Sequence, residues 1–276
     1  MPITGVGSVD TLNFERYQSN LSILLQQETS KFRNTGIVQS CSGNGAAIIN
    51  QIGDTPITGT NYDRRWVNPK ELEVANLVDK MDDLRNITDP RGQIARIQSM
   101  RLGRDMDDLI LKGLGGDNQT GESGTVSTSF AAGNIIADAS AKFTVDKLRE
   151  LQEKMRDNDI DFDGGEQVTG LISPQMARHL LEQPELTNAD YNSVKTLVDG
   201  GVGSFLGFNF IISNRIPGAS KYNTGAIDVG ITMAANKQRA FFYPQSGLCI
   251  GMWQDVNTDV SIRNDKRNSP QIYSTM

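Results

Sequence analysis

One long helix with clear signals at both ends constrains this chain most. Asp89 is an N-cap residue type and Pro90 suits the first helical position. The helical run continues to Leu114, where Gly115 and Gly116 end it. Such a segment is about 37 Å long at the usual rise per residue. In its second half Leu102, Met106, Leu109 and Ile110 share one face, while Arg101, Arg104, Asp105, Asp108 and Lys112 share the other. Ile94, Ile97 and Met100 drift around the axis, so different parts of the rod face different partners. A rod with so polar a face needs something to lie against.

The segments ahead of it have the same character. Val74, Leu77, Val78, Met81 and Leu84 follow helical spacing and predict a short amphipathic helix that stops before Asp89-Pro90. Before that, Tyr62-Asp63-Arg64-Arg65-Trp66-Val67-Asn68-Pro69 reads as a basic-aromatic strand. Gly36 to Asn61 is rich in Gly, Ser, Thr and Asn, with two short apolar pieces, Ala46 to Ile49 and Ile52 to Ile57. That pattern predicts a two-stranded excursion. An isolated hairpin is marginal in water, so something outside must cover it. At the N-terminus Phe14, Tyr17, Leu21, Leu24 and Leu25 form one helical stripe from an Asp10 cap, which Phe32 extends. The stripe suits either a core helix or an arm docked on a neighbour.

Downstream, Thr144 caps a helix with Val145, Leu148, Leu151 and Met155 inside, and Gln167 to Ile172 is strand-like. Ser173-Pro174 starts a further helix, and Asp190 to Val198 another. A strand follows with Phe208, Phe210 and Ile212 alternating. This order predicts an α+β or α/β lobe with a mixed sheet. Ala240 to Tyr243 and Leu248 to Trp253 read as strands. In the last one Val256, Thr258, Val260 and Ile262 alternate with polar residues, which predicts one buried and one wet face.

Catalytic chemistry is not written in the chain. His179 is the only histidine among 276 residues, with no G-x-S-x-G nucleophile motif and no P-loop, and it reads as a partly exposed helical residue. The glycines of Gly201 to Gly207 are spaced one residue too far for a dinucleotide loop and precede a strand. The expectation is no enzyme and no cofactor. Asp159, Asp161, Asp163 and Gly164 match the first half of a calcium loop, but Gly170 stands where the bidentate Glu belongs. They are weak metal candidates, and a solvated acidic turn is the plainer reading. Cys41 and Cys249 lack a second pair for zinc and read as reduced thiols. The net charge of -6 argues against a phosphate-neutralising surface. No secretory signal or membrane span is legible, which predicts cytoplasmic synthesis.

Two stretches resemble the major capsid proteins of tailed bacteriophages. Tyr62 to Val67, leading through Asp89-Pro90 to Arg104-Asp105-Met106-Asp107-Asp108 and Leu114-Gly115-Gly116, is similar to the exit of their elongated loop and their spine helix. Ile172-Ser173-Pro174-Gln175, Leu180-Leu181, Asp190-Tyr191, Gly200 to Gly203, Leu206-Gly207-Phe208 and Ser213-Asn214-Arg215-Ile216-Pro217 resemble their peripheral-to-axial passage. The resemblance implies the Johnson fold, Hong Kong ninety-seven type, an α+β architecture. It divides the chain into an N-terminal arm (1–35), an extended β-hairpin loop (36–69), a peripheral domain with the spine helix (70–165), an axial domain with a mixed sheet (166–246) and return strands (247–276).

The same resemblance implies a virion protein that self-assembles through hexamers and pentamers into an icosahedral shell around double-stranded DNA, without sequence-specific contact and without membrane. It also implies host-cytoplasmic assembly, a portal and a possible decoration protein. No room is legible for a fused scaffolding segment, which implies a separate scaffold or a self-sufficient lattice. No Lys lies between Lys31 and Lys70, so covalent crosslinking from the loop is not carried over. Subunit contacts fall to Phe14, Tyr17 and Leu21 on the arm and to Arg64, Arg65 and Trp66 on the loop. On the spine they fall to Arg104, Asp105, Asp107 and Asp108, whose acids would meet a neighbour's Arg64 and Arg65 unless those charges are simply solvated. An encapsulin-like compartment is the alternative within the architecture. A calcium-binding surface module is the alternative of another class.

Overall fold

A computed structural model of the chain describes residues 27–42, 47–52, 62–78, 91–137, 142–162, 165–183, 204–217 and 237–276. Among these, β1 (Ile37–Ser40), β2 (Ala47–Ile52), β3 (Tyr62–Val67) and β4 (Glu73–Leu77) precede the long helix α1 (Arg91–Gly115). β5 (Asn118–Thr120), β6 (Val126–Thr128), α2 (Val145–Asp157), β7 (Val168–Ile172) and α3 (Pro174–Leu181) follow. The chain then forms β8 (Ser204–Phe205), β9 (Phe208–Ile212), β10 (Phe241–Pro244), β11 (Cys249–Met252), β12 (Asn257–Arg263) and β13 (Ser269–Thr275). Phe14, Tyr17, Leu21, the Asp89-Pro90 cap, Asp163 and the Asp190 to Val198 helix lie outside the described residues. The chain forms two units, one from residues up to Ser30, Lys70–Arg104 and Gln254–Met276, the other from Lys31–Pro69 and Asp105–Trp253.

The first unit holds a three-stranded antiparallel sheet in the order β12-β13-β4. Leu72 and Met276 exchange backbone hydrogen bonds at one end, and the Val78 N–H donates to the Pro270 carbonyl at the other. Here the helix expected over Val74 to Leu84 is corrected. Glu73–Leu77 is a strand, registered from Glu73 opposite Thr275 to Leu77 opposite Gln271. Its apolar spacing satisfied a helical period, but pairing with a strand two hundred residues away supplies the backbone partners, and such context overrides local pattern. Met81 and Leu84 lie outside the described residues. The N-terminal half of α1 contributes Gln98, fully buried, whose amide Nε2–H donates to the Ile272 carbonyl at 3.0 Å. Ser274 donates to Gln98 Oε1 at 2.7 Å, and Thr258 lies 2.9 Å from the Ser274 hydroxyl. Gln98 and Ser274, both buried, fix the helix to the sheet with their polar groups satisfied, the condition under which burial of amides and hydroxyls is tolerated.

In the second unit a mixed sheet runs β10-β7-β9-β8, with β7 and β9 parallel and the other pairs antiparallel. Val145, Leu148 and Met155 of α2 and Met176, Ala177 and Leu180 of α3 pack with Val168, Ile172, Phe208 and Phe210 into its core. The rings of Phe208 and Phe242 meet edge to face at 5.2 Å, a favoured aromatic geometry. The Ser173 hydroxyl accepts the Met176 N–H as the N-cap of α3, with Pro174 at the first position, as its sequence predicts. Thr144 occupies the N-cap of α2 without a side-chain cap bond.

A second sheet in this unit, β2-β3-β5-β6, is larger than the expected hairpin. β2 and β3 pair from Ala47 opposite Val67 to Ile52 opposite Tyr62, so the two apolar pieces read from the sequence are joined in one strand as far as Ile52. β5 and β6, read from sequence as a polar loop, cover the free edge of β3. The hairpin is therefore partly covered by its own chain. β1 and β11 form a parallel pair, Ile37 opposite Cys249 and Ser40 opposite Met252. The extension of the Phe14 stripe to Phe32 is also corrected: residues 27–32 are not helical, and Phe32 is buried just ahead of a single 3₁₀ turn.

Candidate functional site

The polar face of α1, the obvious contact surface from sequence, is largely committed within the chain. Asp107 is fully buried and accepts the backbone N–H groups of Lys31 (3.1 Å) and Phe32 (3.2 Å). Asp108, also buried, receives both Nε and Nη2 of Arg215 in a fork-to-fork pair whose side chains are each 6% exposed. Bidentate geometry of this kind is the strongest form of an ion pair. Asp105 is buried too. The expectation that Asp105, Asp107 and Asp108 face a neighbour's arginines is thereby redirected: charged residues at helical spacing signalled a wet face, whereas this turn of the helix is folded over by residues 31–32 and 213–217. Nothing local in the sequence marks these carboxylates as buried. Arg104, in the other unit, donates from Nη1 to the Gln27 carbonyl at 3.3 Å.

The loop residues are arranged differently. Arg64 is exposed and Arg65 and Trp66 are half-buried on β3. The Trp66 indole N–H donates to the Gly121 carbonyl at 2.8 Å. Its ring lies on the β5–β6 turn at Gly124, where φ is +67° and an added Cβ would stand 2.8 Å from the indole. Glycine is needed there twice over, for the left-handed backbone and for the close approach. Trp66 thus anchors this chain's own turn, a contact that the aromatic-rich strand hinted at but whose partner, a polar loop fifty residues on, was not legible.

The chain leaves apolar surface elsewhere. Every residue of β12 is exposed, Val260 at 50% and Ile262 at 67%. Both sit opposite buried β13 residues, Ile272 and Pro270. The prediction of a buried face on this strand is corrected: among the described residues β12 is the outer strand of its sheet, paired with β13 on one side, and its apolar side chains lie open. Ile37 and Val38, consecutive and so on opposite faces of β1, are exposed as well. Parallel pairs are ordinarily covered on both faces.

The remaining candidates are quickly placed. His179 sits on α3, its pKa lowered by burial and by the nearby cations of Lys142 and Arg178. Glu182 accepts from Lys142 at 3.1 Å and pairs with Arg178 at 3.4 Å; no nucleophile is among these groups. Asp159 and Asp161 are exposed, and among the described residues no group of three or more His, Cys, Asp or Glu could hold a metal ion. Cys41, just after β1, and Cys249, on β11, are free thiols, and burial pushes the Cys249 thiol up. No described helix is long and apolar enough to cross a membrane.

With this geometry in place, comparison with known proteins gives a consistent result. A family model described as phage capsid protein matches residues 9–276. Solved structures sharing the fold include the capsid of cyanophage P-SCSP1u (TM-score 0.67, 15% identity, covering 99% of this chain and 90% of that one). The cyanophage Pam1 capsid matches at TM-score 0.66 with 12% identity, covering 100% and 93%. The mature capsid of bacteriophage PhiM1 matches at 0.65 with 16% identity, covering 94% and 85%. No curated protein matches the sequence.

Proposed function

The chain belongs to the phage capsid protein family, and from that premise we propose that it is the repeating subunit of an icosahedral shell enclosing double-stranded DNA. The observation that carries the reading is β12. Its sequence alternates as a strand with one buried face does, yet Val260 and Ile262 stand open in the single chain. An apolar stripe on an outer strand is a liability unless something covers it. A second copy is available in equal amount wherever the chain is made, and repeated heterologous contacts close into rings. We assign the covering partner to a neighbouring subunit. Residues 36–69 act as the intersubunit loop, with Arg64 and Arg65 at its returning limb and the Phe14, Tyr17 and Leu21 stripe as an arm. α1 serves as the spine, residues 166–246 as the axial domain, and a separate scaffold, a portal and a decoration protein as partners. DNA is enclosed without sequence recognition, which suits a net charge of -6.

The shell reading is favoured over an encapsulin-like compartment because the solved structures of this fold named above are virus capsids. The test is expression of the chain alone and with its scaffold, followed by size-exclusion chromatography and negative-stain microscopy. Rings or closed shells are expected. A monomer at every concentration, scaffold or not, would sink the proposal.

A further inference from the structure

We propose that Asp107 is a positioning residue: its buried carboxylate is the latch that holds residues 31–35 against their unit's part of α1. Residues 27–36 have little regular structure of their own, a single 3₁₀ turn at Arg33–Thr35. A segment so poor in internal hydrogen bonds is held only by what it touches. In its unit, Asp107 Oδ1 accepts from the Lys31 and Phe32 N–H groups, and Oδ2 takes a second share of Lys31 at 3.2 Å. Those donors precede the 3₁₀ turn and have no helical partner, so the carboxylate does for this bend what a capping side chain does for a helix. The Phe32 ring is wholly buried beside it. The Thr35 hydroxyl donates to the Phe32 carbonyl at 2.7 Å and lies 2.6 Å from the Tyr243 hydroxyl, while Lys31 Nζ reaches the Ile212 carbonyl at 3.0 Å.

The first unit shows the same segment held one turn of α1 earlier. An added Cβ at Gly103 would lie 3.1 Å from the Ser30 nitrogen, so the missing side chain admits the strap. Glu28 pairs with Arg96 at 2.5 Å, but both are exposed and such a pair contributes little. The hydrogen bonds to a buried carboxylate are the strong ones. Asp107 therefore decides whether residues 31–35 stay down. As far as shell assembly is concerned, this rests on the capsid reading; the latch itself does not.

Trypsin reports it directly, because Lys31 is exposed as a side chain while the bond that follows leads into buried Phe32. In the full chain, cleavage after Lys31 should be slow. Asp107→Ala should raise it at least tenfold while cleavage after exposed Arg178 keeps its rate. Asp107→Asn, which retains an acceptor oxygen, should fall between. Unchanged cleavage after Lys31 in both variants overturns the latch. So does equal acceleration at all sites in both, which would make Asp107 a general stability residue. Negative-stain microscopy of the same variants keeps the two readings apart. Faster cleavage with malformed assemblies supports both, and faster cleavage with normal shells leaves the latch standing and removes its part in assembly.

Discussion

The Arg215–Asp108 pair is the residue-scale feature with the largest expected cost. Truncating Asp108→Ala takes the bidentate carboxylate from a buried guanidinium and should destabilise the chain by about 3–5 kcal/mol in urea unfolding. A double Asp108→Leu, Arg215→Met variant, which removes both charges, should recover most of that loss; failure to recover would mean that the pair does more than balance itself. His179 carries a pH signature. Burial, Lys142 and Arg178 depress its pKa, so below about 6.5 the unfolded chain binds the proton more readily than the folded one. Stability should be intact at neutral pH and fall as pH drops through that value. His179→Gln should flatten this part of a thermal-unfolding series between pH 5 and 7.5. At Gly124, alanine meets both a positive φ and the Trp66 ring, and about 1–3 kcal/mol should be lost.

At the scale of elements, legibility followed the range of the forces involved. α2, α3 and β7 could be read because the spacing of Val145, Leu148 and Met155, the Ser173-Pro174 cap and the apolar run to Ile172 act within a few residues. The strand at Glu73–Leu77 was misread because its decisive partner is β13, nearly two hundred residues away. β5 and β6 were missed because they are polar strands. Thr120 and Thr128 hydroxyls 2.8 Å apart and the Trp66 ring hold them, and none of this leaves an apolar alternation to find. Of the candidate site, the loop arginines and Trp66 were named from sequence, but the burial of Asp105, Asp107 and Asp108 was not, since a charged side chain reads as wet until its partner is seen. β12 yields the sharpest element-scale prediction. Val260→Asp with Ile262→Asp should change single-chain stability by no more than about 0.5 kcal/mol, as expected of exposed positions. Shells should fail to form. Normal particles from this variant, seen by negative stain, would exclude the face as a subunit contact.

For the whole molecule, the described contacts give residues 27–33 a weight that the sequence did not. Removal of residues 1–26 leaves every contact described above in place. Removal of 1–33 takes Phe32 and both backbone donors of Asp107. In urea unfolding the longer deletion should be less stable than the shorter by at least about 3 kcal/mol, the usual cost of losing a buried aromatic. Equal stability of the two would show that Phe32 is dispensable.

The part of α1 in the first unit carries its contacts at fixed spacing, and that makes length a stricter requirement than identity. Gln98 must meet Ile272 and Ser274, while Gly103 must let Ser30 pass and Arg104 must reach the Gln27 carbonyl. Each residue inserted between Gln98 and Gly103 turns all that follows by about 100° and shifts it by about 1.5 Å. Substitutions along the exposed stretches of the helix can be absorbed singly, but one added or deleted codon in this short interval puts one set of contacts out of phase with the other. Genetic drift in this protein should therefore change the letters of the helix freely in places while leaving its count untouched.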